Sequence, residues 1–241
     1  MMIPYLGEKS KYSNFIIPNI PTDISTYVEP FGGMFGIYFC LDLEQYTNTK
    51  FVYNDINHLN YNLFKYLKDE NFLCHLKNIK VDKIFYENAK HNLYNCSDSE
   101  KAIYWLVILT CSDSQVNVLE RNWKNDSEFE ILKIKIGLNK NYFRKIDSIN
   151  NQDYKEIINK YDSENSFFYI DPPYYNKESY YINHDFDNND KHLELSESLK
   201  RIKGRFALSY LYFSKLSEWY KGYNFYYFQT FMGKETLITN F

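Results

Sequence analysis

The sequence is sparing with cysteine. Its four, Cys40, Cys74, Cys96 and Cys111, are scattered, and no two form a C-x-x-C pair. That speaks against a structural zinc site and fits reduced thiols of an intracellular protein. No metal is expected. Excess positive charge is missing too. The net charge is −3, so a nucleic-acid partner has to be met by a local basic face. The longest apolar run, Ala102 to Leu109, is too short to span a bilayer. The N-terminus has no charged-then-apolar leader. The expectation is a cytoplasmic protein, or an intracellular one in a phage- or virus-infected host. Repeats and low-complexity tracts are lacking. So are G-x-x-x-x-G-K-[ST] and G-x-G-x-x-G, which speaks against a P-loop and a dinucleotide. The 241 residues suffice for one large domain, or a core with a small insert.

What is present centres on Asp171-Pro172-Pro173-Tyr174. It follows Ser166 to Ile170, an aromatic and β-branched run that reads as a buried strand. Two prolines neither continue a strand nor start a helix in the ordinary way. The strand therefore ends in a stiff loop at the carboxyl edge of a sheet, where open α/β folds bind ligands. The loop offers a carboxylate, carbonyls outside any ladder and an aromatic ring. A carboxylate and a carbonyl can each accept one N–H of an exocyclic amino group, freeing its lone pair, and a ring can stack on an extruded base. Taken alone, the tetrapeptide also fits an ordinary strand end.

Upstream, strand Thr26 to Val28 runs into Glu29-Pro30-Phe31-Gly32-Gly33-Met34-Phe35-Gly36 and then an apolar helix from about Ile37 to Leu43. Strand, glycine turn and helix make a nucleotide cradle, because glycine lets the backbone approach a ligand closely. A second strand, Phe51 to Asn54, ends at Asp55, about 20 residues on, the separation at which an acid reaches ribose hydroxyls. Asp55 and Asn57 equally suit a helix N-cap, since Leu59, Leu63, Phe64 and Leu67 then fall on one helical face.

Between residues 74 and 161 the pattern is less regular. Helices are expected around Asp82 to Leu93 and Ser99 to Leu109, a strand-like piece at Phe129 to Ile136, and a helix ending at Tyr161. Arg121, Lys133, Lys135, Lys140, Arg144 and Lys145, with Tyr142 and Phe143 among them, suit a phosphate backbone and stacked bases. A solvated face is the plainer alternative. After the Pro-Pro loop, Tyr175 to Asn189 reads as a loop able to close over a substrate. A helix ending at Gly204 follows, then strands Arg205–Tyr210, Tyr223–Phe228 and Glu235–Asn240. Helix Leu211–Tyr220 joins the first two, and a Met232-Gly233-Lys234 turn pairs the last two as a hairpin.

These motifs, in this order, resemble the Dam-like (alpha-group) DNA adenine N(6)-methyltransferases. The resemblance rests on Tyr5-x-Gly-x-Lys9, Tyr27-Val-Glu-Pro-Phe-Gly-Gly33, Asn54-Asp55-Ile-Asn57, Asn151-x-Asp153-Tyr154, Phe168-Tyr-x-Asp-Pro-Pro-Tyr-Tyr175, Asp190-x-His192 and Glu235-x-Leu-Ile-Thr-Asn240. It covers nearly the whole chain. It implies a Rossmann-like α/β fold, with a mostly parallel sheet and a C-terminal antiparallel hairpin. A catalytic domain of residues 1–71 and 149–241 would carry a mainly helical DNA-recognition insert, 72–148.

It also implies S-adenosyl-L-methionine as methyl donor, double-stranded DNA as partner and a restriction nuclease as a possible companion. Tyr5, Gly7 and Lys9 would contact the cofactor from an N-terminal arm. Glu29, Phe31, Gly32 and Gly33 would line its pocket. Asp55 would hold the ribose, Asp153 the cofactor's adenine, and Asp171 would border both sites. Asp171, Pro172, Pro173 and Tyr174 would hold the target adenine. The chain departs from the family at Phe35, where a second glycine is usual, and at Ile108 to Ser114, where an Asn-x-Thr-Cys-Phe-Asn-Gly segment is common. A catalytically retired DNA-binding member, or an amino-methyltransferase of RNA or cytosine, stays open as an alternative.

Overall fold

A computed structural model describes residues 3–175, 177, 186, 189–230 and 233–241. Its centre is a seven-stranded sheet: β1 (Thr26–Glu29), β2 (Lys50–Asn54), β3 (Ile146–Asn150), β4 (Ser166–Ile170), β5 (Arg205–Leu211), β6 (Asn224–Thr230) and β7 (Gly233–Thr239). The order is β3-β2-β1-β4-β5-β7-β6. β1 to β5 pair in parallel, with Val28 beside Val52 on one flank and beside Phe168 on the other. β7 runs antiparallel to β5 and β6. The fold is thus the mostly parallel, Rossmann-like α/β sheet expected from the motifs, closed by an antiparallel hairpin.

Side chains alternate across the sheet, as a pleat requires. Tyr27, Phe51, Tyr53, Phe167 and Tyr169 enter one core, and Val28, Val52, Phe168 and Ile170 enter the other. All five residues of β4 are buried, which is why its run lacks polar alternation. The first face is covered by α2 (His58–Leu67), α3 (Glu70–Asn78), α4 (Lys83–Asn92), α5 (Asp98–Cys111) and α6 (Ser127–Leu138). α8 (Tyr154–Tyr161), α9 (Asn189–Leu199) and α10 (Leu216–Trp219) cover the second. Short α1 (Ser13–Ile16) and α7 (Lys140–Lys145) are the other α-helices among the described residues. Among the described residues no helix is long and apolar enough to cross a membrane.

Several elements differ from expectation. Phe129 to Ile136 is helical within α6. Its alternating Ile and Lys imitate a strand, but Phe129, Leu132 and Ile136 are buried at helical spacing while Ile131 and Ile134 face solvent. The apolar helix expected over Ile37 to Leu43 is replaced by 3-10 turns at Tyr38–Cys40 and Leu43–Tyr46, separated by extended Leu41. The helix expected over Leu211 to Tyr220 shrinks to α10, because β5 continues through Leu211 to pair with Glu235. β3 was not legible: it is a polar edge strand whose Asp147 carboxylate accepts the Phe51 N–H. The expected loop Tyr175 to Asn189 lies largely outside the described residues, as does Met232 of the hairpin turn.

Candidate active site

Parallel pairing of β1 to β5 brings their carboxyl ends to one edge. Strand order reverses between β1 and β4, which opens a crevice there. The turn after β1 and the loop after β4 meet in it. One pocket is lined by Tyr5, Gly7, Glu8, Lys9, Glu29, Phe31, Gly32, Gly33, Gly36, Tyr169 and Asp171, among others. Of the expected cofactor residues, Tyr5, Gly7, Lys9, Glu29, Phe31, Gly32, Gly33 and Asp171 are therefore together.

The turn is shaped by its glycines and by β2. The Gly32 N–H donates to Asn54 O at 2.7 Å, and a Cβ on Gly32 would stand 2.4 Å from the Tyr53 ring. Only glycine fits so close to a neighbouring strand. Gly33 has φ +50°, a left-handed conformation that costs glycine little. Its carbonyl accepts from Tyr53 Oη at 2.9 Å.

Asp55 stands behind this turn rather than in the pocket lining. Its carboxylate accepts from the Gly33 N–H at 2.7 Å, the Asn57 N–H at 2.7 Å and the Asn60 amide at 3.1 Å. Asn57 is the helix N-cap, accepting from the Leu59 N–H. Burial pushes the Asp55 carboxyl up to about 6, against those hydrogen bonds. Asn60 also donates to Tyr5 Oη at 3.1 Å and accepts from Trp105 Nε1 at 2.9 Å. It thereby links the arm, Asp55 and helix α5. Sequence reasoning missed Asn60, although a polar residue three and four before Leu63 and Phe64 breaks the apolar face of α2 and marks itself. Asp153 does not reach the pocket; it caps α8 through the Lys155 N–H, beside Tyr154, which stacks on Phe31 at 5.1 Å.

Asp171 closes the pocket from β4. Its carboxylate pairs with Lys9 Nζ at 3.2 Å, the two side chains being 19% and 4% exposed. Lys9 Nζ also donates to the Gly7 carbonyl at 2.5 Å and stands 4.7 Å from the centre of the Tyr174 ring, a cation–π distance. Burial outweighs this lysine and pushes the Asp171 carboxyl up to about 6. Burial likewise holds Glu29 well above the ordinary carboxylate range, although Tyr27 Oη and the Tyr38 N–H both donate to it.

Pro172 is buried and Pro173 half-buried. The Tyr174 ring is covered: it stacks on Tyr210 at 5.7 Å, and its hydroxyl donates to Glu235 Oε2 at 3.0 Å. Glu235, 2% exposed on β7, is another functional candidate; the sequence shows it within Glu235-x-Leu-Ile-Thr-Asn240 but gives it no role of its own. Tyr210 in turn bonds His192.

Phe35 sits at φ +55°, where glycine would be unstrained. It is fully buried, stacked on Tyr38 at 4.3 Å and edge-on to Tyr53 at 5.3 Å. Ring packing holds a conformation that the backbone disfavours.

The basic candidates lie outside the pocket lining. Arg121 Nε donates to Val116 O. Lys133, on α6, pairs with Glu130 and donates to the Ile79 carbonyl. Lys140 and Arg144 share Glu70. Lys135 is exposed near the end of α6, and Lys145 is exposed at the end of α7.

No curated protein matches this sequence. Among solved structures, a similar chain is the rRNA methyltransferase AviRa from Streptomyces viridochromogenes, with 7% identity, a TM-score of 0.43, and coverage of 99% of this chain and 86% of that one. A likeness at that level carries nothing further. Residues 5–233 match the family of D12 class N6 adenine-specific DNA methyltransferases, and with nearly the whole chain spanned, the protein belongs to that family.

Proposed function

We propose that this protein is a Dam-like, S-adenosylmethionine-dependent enzyme that methylates the exocyclic amino group of adenine, extruded from double-stranded DNA at specific sites. One observation carries the reading: the Gly32–Gly33 turn after β1 and Asp171 at the end of β4 border the same pocket. A nucleotide cradle and an amino-group acceptor are thereby adjacent, as transfer between two bound ligands demands.

The pocket suits the cofactor. Glycine backbone at Gly32 and Gly33 leaves room that a Cβ would take or strain, the Tyr5 ring borders it, and carboxylates outnumber lysines in its lining. Tyr5, Gly7, Lys9, Glu29, Phe31, Gly32 and Gly33 would hold the ligand. Asp55 would take the ribose by exchanging part of its present hydrogen bonding to the turn, and Asp153, outside the pocket lining, would take the adenine where the ligand extends past Phe31 and its stacking partner Tyr154. When bound, S-adenosylmethionine supplies a methyl group already activated on a sulfonium.

The chain's own task is to accept hydrogen bonds and exclude water. Asp171 and the Pro172 carbonyl accept the two N–H groups of the target amino group. The acquired positive charge then develops against a preformed carboxylate. Pro172 and Pro173 fix the loop so that little reorganisation is needed. Lys9 must yield its contact with Asp171 as the base arrives. Glu235 sets the tilt of the Tyr174 ring, which is covered now and would meet the base only once Lys9 moves off it.

Residues 1–71 and 149–241 would form the catalytic domain. Residues 72–148 would form the target-recognition insert, with Arg121, Lys133, Lys135, Lys140, Arg144 and Lys145 toward the DNA. The test is Asp171→Ala. Methyl transfer to DNA is expected to be abolished, with S-adenosylmethionine still bound in a calorimetric titration; undiminished transfer would remove Asp171 from the mechanism.

A further inference from the structure

Glu8 occupies one of the two unconstrained positions of Tyr5-x-Gly-x-Lys9, and no role for it follows from that motif. Its place in the pocket is well defined. Oε1 accepts the Ser10 N–H at 2.8 Å. Oε2 is buried and has no hydrogen-bond partner among the described residues. Lys9, the adjacent cation, turns instead to Asp171 and the Gly7 carbonyl. A carboxylate oxygen shut away from water without a donor is costly, and such atoms call for an explanation.

The opposite wall is adapted to this carboxylate. A Cβ on Gly36 would lie 2.5 Å from Glu8 Oε1 and 3.2 Å from its Cγ and Cδ. Gly36 has no positive φ to account for it, and a side chain there would push the flexible Glu8 carboxylate aside. The charge balance points the same way. Glu8 and Asp171 line the pocket with Lys9 as the one cation of its lining among the described residues, and Glu29, held toward its neutral form, adds no cation. Burial chiefly, and then the charges of Asp171 and Glu8, hold the Glu29 carboxyl up. A cation is what this arrangement lacks.

Taking the pocket as the S-adenosylmethionine site proposed above, on which this step rests, we infer that Glu8 accepts the ammonium of the cofactor's amino-acid portion and that Gly36 is glycine to make room for that carboxylate. The ligand carries two cationic groups, and only the ammonium has N–H donors for an orphaned oxygen. The ribose offers neutral hydroxyls. A charged acceptor facing a charged donor is the stronger kind of hydrogen bond.

The experiment is calorimetric titration of the unsubstituted chain, Glu8→Gln and Gly36→Ala with four ligands. These are S-adenosylmethionine, S-adenosylhomocysteine, decarboxylated S-adenosylmethionine, and 5′-deoxy-5′-methylthioadenosine, which lacks the amino-acid portion. Glutamine keeps an oxygen for the Ser10 N–H and turns an amide toward the ligand, and thermal unfolding checks that both variants fold. Glu8→Gln is expected to weaken the three ammonium-bearing ligands by about tenfold or more and to leave methylthioadenosine unchanged. Gly36→Ala, by pushing the carboxylate aside, should give the same pattern at smaller size.

Equal affinities in Glu8→Gln, equal weakening of all four ligands, or an unaffected decarboxylated ligand would overturn the assignment. Failure of the unsubstituted chain to bind S-adenosylmethionine would overturn the reading beneath it, and this inference with it.

Discussion

Asp171 makes a sharp test of how burial and an ion pair compete in this site. Its carboxyl is pushed up from the ordinary 3.8 to about 6 because desolvation exceeds the pull of Lys9. The folded-state value lies above the unfolded one. Between those values the folded chain therefore holds a proton that the unfolded chain has released, and stability from this group rises as pH falls. It is lost again as pH climbs through about 6. Integrated from about pH 8 to about pH 5, the gain is about 1.4 kcal/mol, or about 3–6 °C in Tm for a chain of this size.

Asp55 and Glu29 are raised for the same reason, so the unsubstituted chain gains more than this in total. Asp171→Asn removes one share. That variant also breaks the contact with Lys9, so the comparison is made on the pH dependence of Tm and not on its absolute value. Thermal unfolding followed by circular dichroism across the range should show a pH gain in Asp171→Asn smaller by about 3–6 °C. Parallel pH profiles for the two proteins would refute the claim that burial wins over Lys9.

Other substitutions probe the frame around the site. Phe35 combines a left-handed backbone with full burial, so Phe35→Ala should cost about 3–5 kcal/mol in urea unfolding. Phe35→Gly should cost no more despite removing a further carbon, because glycine relieves the strain; a clearly less stable glycine variant would contradict this. Gly204→Ala would bring a Cβ to 2.7 Å from Ser166 O and 2.8 Å from Ser163 O, rigid backbone at the start of β4, and should lower Tm measurably; an unchanged Tm would show that the turn yields. Exposed Cys74 should react with a thiol reagent in the native state, while Cys111, buried and with its thiol pushed up to about 11, should react only on unfolding.

Legibility in the sequence followed the strength of local constraint. The central strands read correctly because Ser166 to Ile170 and Phe51 to Asn54 are buried on both faces and punctuated by Pro172 and Asp55. The edge strand β3 did not, since its Ser148 and Asn150 look like loop chemistry and its pairing with β2 is a tertiary fact. α6 misled because a helix with apolar residues on two faces has no helical stripe to read. At the site, residues carried by rigid motifs were legible, from Gly32 and Gly33 to Asp171. Asn60 and Glu8 were not, and Glu235 stood in a motif without a role: Asn60 meets Tyr5 and Trp105 and Glu235 meets Tyr174, all far away in sequence, and the place of Glu8 against Gly36 is likewise a tertiary fact. Phe35 was visible as a departure from the family, but its left-handed backbone and the rings that hold it were not.

The measurement that bears most directly on the central claim is methyl transfer from labelled S-adenosylmethionine to unmethylated duplex DNA, followed by digestion and separation of nucleosides. Label is expected in N(6)-methyl-2′-deoxyadenosine. Label in methylcytosine, label only when RNA is supplied, or no label on DNA from a chain that binds S-adenosylmethionine would contradict it.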